Sequence, residues 1–420
     1  MGFPENLGVT DIRPERMDSI LRDINIHYSI TQPINLYNCN LELLSSATTN
    51  KRFNNRHSLF KLVKKRFRIS YSGIVFKGLI RYKRQHYYRD IFIKEIPIYP
   101  LNFNYETNIN RRKNYSYHKN YYLNNHNSSA NIEVFLSYVT SRIFELGLSP
   151  TFGLFYGAYS VNLDKFSYMS DRGAASTIDN GTIYNLTDKQ IIQKRNCPIY
   201  LMALEKFDLS IETLNSVCDL DESLLKSILF QIYACIFTMY TILGIRHNDL
   251  HLGNIMFKIT KKKFIYYELN DIYYRIPTYG FLVKIIDWGR GTYSYNNVSG
   301  NNSIFNRYQS CDGQLKFGKI NKAPLVRKNN WRDIVSITHN FLYNFHQLKY
   351  YKLFTKFLKS CLKTKSDIHI SIKKFNWETY EHIASNDFNI IPEKIINNTI
   401  FKMFVVDTVE PSNTIYKILL

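Results

Sequence analysis

Apolar positions along the chain change period near its middle. Residues 70–80 alternate apolar and polar, as a half-buried strand does, and residues 91–96 form an apolar run that stops at Pro97, which reads as a buried strand. Ile132, Phe135, Leu136, Val139, Ile143 and Leu146 recur at helical spacing, and Gly147 ends the pattern. Two more strands are expected over residues 153–159 and 198–204. Beyond about residue 210 the pattern becomes mainly helical. The order is strands, one helix, strands, a connector and then helices. This predicts an α+β chain with a small β-rich lobe joined to a larger helical one, and a ligand cleft between them.

Polar stretches divide the chain further. Residues 1–60, with Pro4, Pro14 and Pro33, show no clear period and read as an N-terminal extension. Residues 61–204 form the first lobe, with an Asn- and Tyr-rich insertion near 100–130. Residues 205–420 form the connector and helical lobe, with insertions near 260–275 and 293–325, the second a Ser-, Asn- and Gly-rich loop. The stretch 227–245 is nearly free of charge and close to bilayer length. Gln231 and Thr238 interrupt it and a polar motif follows at once, so a buried helix is the favoured reading and no transmembrane span is expected.

Composition adds less. The 420 residues are 45% hydrophobic, enough for a packed core rather than disorder. The formal net charge is +21, which suits nucleic acid, acidic proteins or an anionic surface. The basic residues look scattered, however, and the abundance of Lys, Asn, Ile, Tyr and Phe reads as the bias of an AT-rich genome. No specific nucleic-acid module is visible. Cys39, Cys197, Cys218, Cys235, Cys311 and Cys361 form no C-x-x-C pair or zinc spacing, and read as free thiols of a reducing compartment. The N-terminus lacks a signal-peptide pattern, and Asn6 breaks the myristoylation pattern that Met1-Gly2 begins.

The chemistry concentrates in two short motifs. Asp249 in Arg246-His247-Asn248-Asp249-Leu250-His251 is followed five residues on by Asn254. Asp287 then ends the apolar run Val283-Lys284-Ile285-Ile286, just before Trp288-Gly289. Phosphoryl transfer needs a carboxylate near the acceptor hydroxyl and two oxygen ligands for Mg²⁺ on the nucleotide. Asp249, Asn254 and Asp287 are of the right types, in the right order.

These residues resemble the protein kinase superfamily. His247 to Asn254 looks like the catalytic loop H-R-D-L-x-x-x-N, and Asp287-Trp288-Gly289 looks like D-F-G. The resemblance runs from about residue 65 to about residue 340 and, with the composition, is greatest to the serine/threonine kinases of large DNA viruses. It implies ATP and Mg²⁺ as cofactors. Asp249 would be the catalytic base, and Asn254 and Asp287 would hold the metal. Lys94 would grip the phosphates, paired with Glu133 on the following helix or, as the alternate, Glu145. The glycine-rich loop is degraded: of G-x-G-x-x-G-x-V only Gly73 and Val75 remain, and Ser70 and Ser72 could partly compensate. Backbone groups of Glu205 and Phe207 would meet the adenine edge. Asp333 would anchor the catalytic loop. His247 would be structural and Trp288 would pack into the core.

Two departures bear on function. Asn248 stands where the family keeps an Arg that neutralises an activation-loop phosphate, which implies activity independent of that phosphorylation. His251 replaces a Lys, as in small-molecule phosphotransferases of the aminoglycoside and choline kinase type, so the catalytic loop leaves protein and metabolite acceptors both open. A non-catalytic pseudokinase scaffold is the third reading, favoured by the lost glycines and by the absence of a clear A-P-E motif. The leading expectation is a serine/threonine protein kinase acting on a protein substrate of acidic character, intracellular, in host cytoplasm or virion if viral. No oligomeric state follows from the sequence.

Overall fold

The computed structural model describes residues 57–70, 73–97, 129–171, 181–185, 189–295, 298–300, 331–345, 351–373 and 386–418, with short pieces at 34–35, 348, 379 and 382–383. Most of the expected extension at 1–60 and of the insertions at 100–130 and 293–325 lies outside them, as do Cys39, Cys311 and the 322–325 stretch. The four described cysteines are free thiols.

The architecture is α+β: a β-rich region comes first, followed by helices and smaller sheets, an arrangement compatible with a two-lobed kinase-like fold. Among the described residues the main sheet has seven strands. They are β1 (Ile34–Asn35), β2 (His57–Ser70), β3 (Gly73–Tyr82), β4 (Gln85–Pro97), β5 (Phe155–Asp171), β6 (Gly181–Asn185) and β7 (Lys189–Glu205). The spatial order is β1-β5-β7-β4-β3-β2, with β6 added on β7. The run β2-β3-β4 is an antiparallel meander, and β4 then pairs with β7 so that Lys94 lies opposite Met202. β5 and β7 extend far beyond the segments the sequence indicated, because polar positions pair as regularly as the apolar ones, Lys165 with Arg195 and Ser167 with Gln193.

Helix α1 (Ser129–Glu145) connects β4 to β5. Its apolar stripe is buried as the spacing predicts, and its polar residues Glu133, Arg142 and Glu145 are buried as well. A helix enclosed on all sides must pair its charges internally. Arg142 and Glu145 do so at 2.5 Å.

Helix α2 (Ile211–Val217) precedes the central helix α3 (Glu222–Leu243). The Asp221 carboxylate caps α3 by accepting from the Leu224 N–H at 2.7 Å, and Gly244 ends it in the left-handed region at φ 56°, where a Cβ would be strained. This is the helix of membrane-spanning length. In the fold 83% of its most apolar window is buried, so its all-round hydrophobicity serves the protein core.

The region after 210 is less helical than its pattern suggests. β8 (Leu209–Ser210), β9 (Ile255–Ile259) and β12 (Phe281–Ile285) form one three-stranded sheet. Residues 260–275, expected as an insertion, contribute to the hairpin β10 (Phe264–Leu269) and β11 (Ile272–Pro277). β13 (Tyr293–Tyr295) and β14 (Val298–Gly300) form a small hairpin. Helices α4 (Arg332–Asn344), α5 (Lys352–Cys361) and α6 (Pro392–Ile396) follow, and the late strands β15 (Val405–Val406) and β16 (Ile415–Lys417) flank β11 and β10. The hairpin therefore belongs to the core: Tyr267 and Tyr274 pack on Phe230 of α3.

Strand β12 carries an unexpected cation. Lys284 is 1% exposed and its ammonium donates to the Pro150 and Phe152 carbonyls at 2.7 Å each. These bonds tie the strand leading to Asp287 to the connection between α1 and β5. Burial pushes the Lys284 pKa down to about 7, against the pull of Glu205. Between that value and the unfolded value of about 10.4, the unfolded chain holds a proton that the folded chain does not, so stability rises with pH across the window. Lys284→Met should flatten this rise. Urea denaturation from pH 7 to pH 10 measures it, and an unaltered slope would show that Lys284 is not its source.

Candidate active site

Three elements far apart in sequence deliver three charges to one point. β4 presents Lys94, which in register sits beside Gly73 at the start of β3. α1 presents Glu133, which is 5% exposed. β12 ends in Ile285 and the chain then turns at Asp287, whose φ of 71° lies in the left-handed region that Asp tolerates better than most residues. The Lys94 ammonium bonds the Glu133 carboxylate and lies 3.0 Å from Asp287 Oδ1. Glu145, the alternate partner, is taken by Arg142 and by the His57 N–H.

The charges are strongly coupled. Burial would lower the Lys94 pKa, but Asp287 and Glu133 outweigh it and raise it above the ordinary lysine range. The Asp287 side chain is 45% exposed. Desolvation in the cleft opposes its ionisation, yet Lys94 prevails and holds its pKa at about 2. Glu133 is pushed up, by burial first, with Lys94 acting against that shift. Gly289 leaves room for this cluster: a Cβ there would stand 3.2 Å from Glu133 Oε2.

The segment 246–254 is held almost entirely by bonds to its backbone. Asp333, on the first turn of α4 and 2% exposed, accepts from the His247 and Asn248 N–H groups at 2.7 Å each. The His247 ring is fully buried and packs 4.8 Å from the buried Trp288 ring. Its Nε2 donates to the Ile286 carbonyl, while its Nδ1 accepts from the Asp249 N–H. Asn248, at φ 63°, donates its carboxamide to the Arg290 carbonyl and to Thr292 Oγ1. Arg246 and Thr292 close the pair of segments by a backbone bridge. The loop carrying Asp249 and the loop carrying Asp287 are thus stitched into one unit.

Asn254 Nδ2 donates to the Asp249 carbonyl at 2.9 Å and lies 3.3 Å from His251 Nε2, and the Asn254 carbonyl accepts from the Ile286 N–H. With its Nδ2 so committed, the carboxamide keeps its oxygen as the donor atom for a cation. His251 Nδ1 accepts from the Gly253 N–H, which closes the short turn 252–254. Burial lowers the His251 pKa, and the nearby Asp249 and Asp287 carboxylates offset this only in part. Asp249 is paired at 3.2 Å with Arg290, the residue directly after Gly289.

Among the described residues no group of three His, Cys, Asp or Glu side chains could hold a metal alone. Asp287 with Asn254 is a pair of hard oxygen donors, which fits Mg²⁺ completed by phosphate oxygens and water.

On the expected nucleotide-base side, part of the backbone is already committed. The Glu205 N–H is spent on the Leu154 carbonyl, and its buried carboxylate accepts from the Leu154 N–H and pairs with Lys258. Lys258 and Lys284 overcome burial and hold the Glu205 pKa low. A base could therefore meet Glu205 only through its carbonyl. The Phe207 carbonyl accepts from Lys206 at 3.1 Å, and its ring packs over Gly153. Val75 is fully buried. Ser72 and the side chain of Ser70 lie outside the described residues. Sequence reasoning missed Arg290, Lys258 and Lys284. Of these, Lys284 carried a signal, being a lysine inside an otherwise apolar strand.

Asp333→Ala would strand two buried N–H groups that now share one carboxylate. The expected loss is about 3 kcal/mol of stability, measured by urea denaturation. A loss below about 1 kcal/mol would show that the loop does not depend on this anchor.

No protein-family model matches the chain. Over 112 residues it is 44% identical to serine/threonine-protein kinase haspin of Mus musculus, a stretch covering 25% of this chain and 14% of that protein. Over 63 residues it is 44% identical to serine/threonine-protein kinase haspin of Bos taurus, covering 15% of this chain and 8% of that protein. The chain thus spans only a small part of the length of these curated relatives. This local similarity, added to the α+β fold, supports at most a likeness to the protein kinase family.

Proposed function

We propose that the chain is an ATP-dependent protein kinase that transfers the γ-phosphate to serine or threonine hydroxyls. The observation that carries this reading is the Lys94 ammonium shared between Glu133 and Asp287. One lysine fixed by a buried glutamate is pre-positioned to meet nucleotide phosphates, and an ionised, partly exposed Asp287 stands beside it. Asn254 and Asp287 would hold Mg²⁺, which supplies charge neutralisation on the phosphates.

Asp249 would accept a hydrogen bond from the acceptor hydroxyl and take its proton as the phosphoryl group leaves ADP. Arg290 orients that carboxylate. Glu133 holds Lys94 in place, and Gly73, next to Lys94 across the β3–β4 pair, brings backbone close to the phosphates. Val75 would line the base pocket, with the Glu205 carbonyl and Phe207 at its edge. The haspin relatives are serine/threonine-protein kinases by name, which favours a protein acceptor on serine or threonine. The net charge of +21 favours an acidic protein. The AT-biased composition is the support for a large DNA virus as source, and the free thiols for an intracellular setting.

The test is transfer of label from ATP in the presence of Mg²⁺ to the chain itself or to a generic acidic protein. Label should appear on serine or threonine, and Asp249→Asn should reduce it by at least about a hundredfold. Label found only on a small amine or alcohol would replace this reading with a metabolite phosphotransferase. Nucleotide binding without transfer would replace it with a scaffold.

The metal role has its own measurement. ATP at a hundredfold excess over its dissociation constant should stabilise the wild-type chain by about 2.7 kcal/mol in a Mg²⁺-dependent way. Asp287→Ala should lose the Mg²⁺-dependent part, and an unchanged thermal shift would contradict the assignment.

A further inference from the structure

The basic residues look scattered in sequence, yet the β2-β3-β4 meander gathers several on one face. Its register places Lys64, Lys77 and Asp90 in one row, Lys61, Leu79 and Tyr88 in the next, and Ser58, Arg81 and His86 in the third. Cross-strand partners share a face. Lys77, Leu79 and Arg81 alternate along β3 with Phe76, Gly78 and Ile80, all of which are buried, so these three rows form the outer face. Asp90, the carboxylate in these rows, is paired with Arg66.

Aromatic rings stand among the cations. Tyr88 is 58% exposed and Phe60 46%. Phe60 falls at the bulge between Leu59 and Lys61, and its ring lies 4.5 Å from that of His86, which puts it on the same face. Lys77 Nζ lies 5.1 Å from the Tyr88 ring centroid. Tyr88 shares its side of β4 with Lys94 by alternation but lies six residues away, roughly 20 Å at the rise of a strand, so this patch is on the same face of the sheet as the phosphate site and clear of it along the strands.

We propose that this face binds a single strand of nucleic acid, with phosphates on Lys61, Lys64, Lys77 and Arg81 and bases stacked on Phe60 and Tyr88. Exposed rings framed by cations are what an unpaired strand requires. Every base has a flat face to stack, so little sequence preference is needed, and a duplex keeps those faces hidden. An acidic peptide would use the cations alone, so the rings decide between the two occupants.

The test is fluorescence anisotropy of a labelled oligothymidylate of about 20 nucleotides titrated with the full chain over a salt series. The combined variant Lys64→Glu, Lys77→Glu, Arg81→Glu should weaken binding at least tenfold and reduce the slope of log K against log salt by about two. Phe60→Ala with Tyr88→Ala should weaken binding about tenfold and leave the salt slope unchanged. The control Lys352→Glu, Lys356→Glu, Lys359→Glu, on exposed positions of α5, should stay within about twofold of wild type.

The proposal is overturned if the ring variant binds like wild type. It is also overturned if the control loses as much as the sheet variant, which would show only the general attraction of a basic chain. Displacement by polyglutamate as effective as by unlabelled oligothymidylate would assign the face to acidic peptides instead. Thermal unfolding checks that each variant is folded, and Gln replaces Glu at the three sheet positions if the charge reversals are not.

Discussion

The Lys94 ammonium is a single positive charge set between two carboxylates from different parts of the chain. β4, α1 and the turn after β12 must all be placed correctly for it to exist. Each member would be unfavourable here alone: a buried Glu133 without a cation would protonate, and a buried Lys94 without carboxylates would lose its charge. Together they keep Lys94 charged and Asp287 ionised, and Lys94 opposes the burial that pushes Glu133 up. Asp287 is the more exposed carboxylate, where a divalent cation could reach it. Removing any one partner leaves the other two in an unfavourable field, so the cluster couples the sheet, α1 and the Asp287 turn.

A second layer of order surrounds this cluster. Asp333, the His247 ring, the Asn248 carboxamide and the Asn254 amide all act on backbone groups of the two functional loops. Side chains that fix main chain rather than one another leave Asp249 and Asp287 facing outward while their peptide groups stay satisfied. Arg290 is the exception, since it touches the carboxylate of Asp249 directly. Asn248 is a clear case of a side chain that fixes backbone. Its short amide ties the two loops together, through the Arg290 carbonyl and Thr292 Oγ1. The loop geometry is thereby built into the fold.

Much of this was legible in the chain because the motifs are local. Asp249, Asn254 and Asp287 lie within a few residues of apolar strands that place them, and the helical spacing from Ile132 to Leu146 located α1 and hence Glu133. What escaped was non-local. The hairpin at residues 264–277 looks like an insertion because alternate side chains lie toward solvent, whereas in the fold Ile265, Tyr267, Leu269, Tyr274 and Ile276 are buried in the core and the two tyrosines pack on α3. Backbone groups of Glu205 were expected at a base edge, but which of them is open to a ligand depends on a partner about fifty residues away, Leu154, whose carbonyl takes the Glu205 N–H and which no local pattern reveals. The basic residues read as scattered because strand pairing, rather than sequence distance, brings Lys64, Lys77 and Arg81 onto one face.

The most direct measurement is a crystal structure of the chain with Mg²⁺ and a non-hydrolysable ATP analogue. A Mg²⁺ ion should stand with Asp287 and Asn254 side-chain oxygens at about 2.1 Å, and the Lys94 ammonium should reach the phosphates while it keeps its contact with Glu133. A nucleotide bound elsewhere, or a metal ligated without Asp287, would contradict this arrangement.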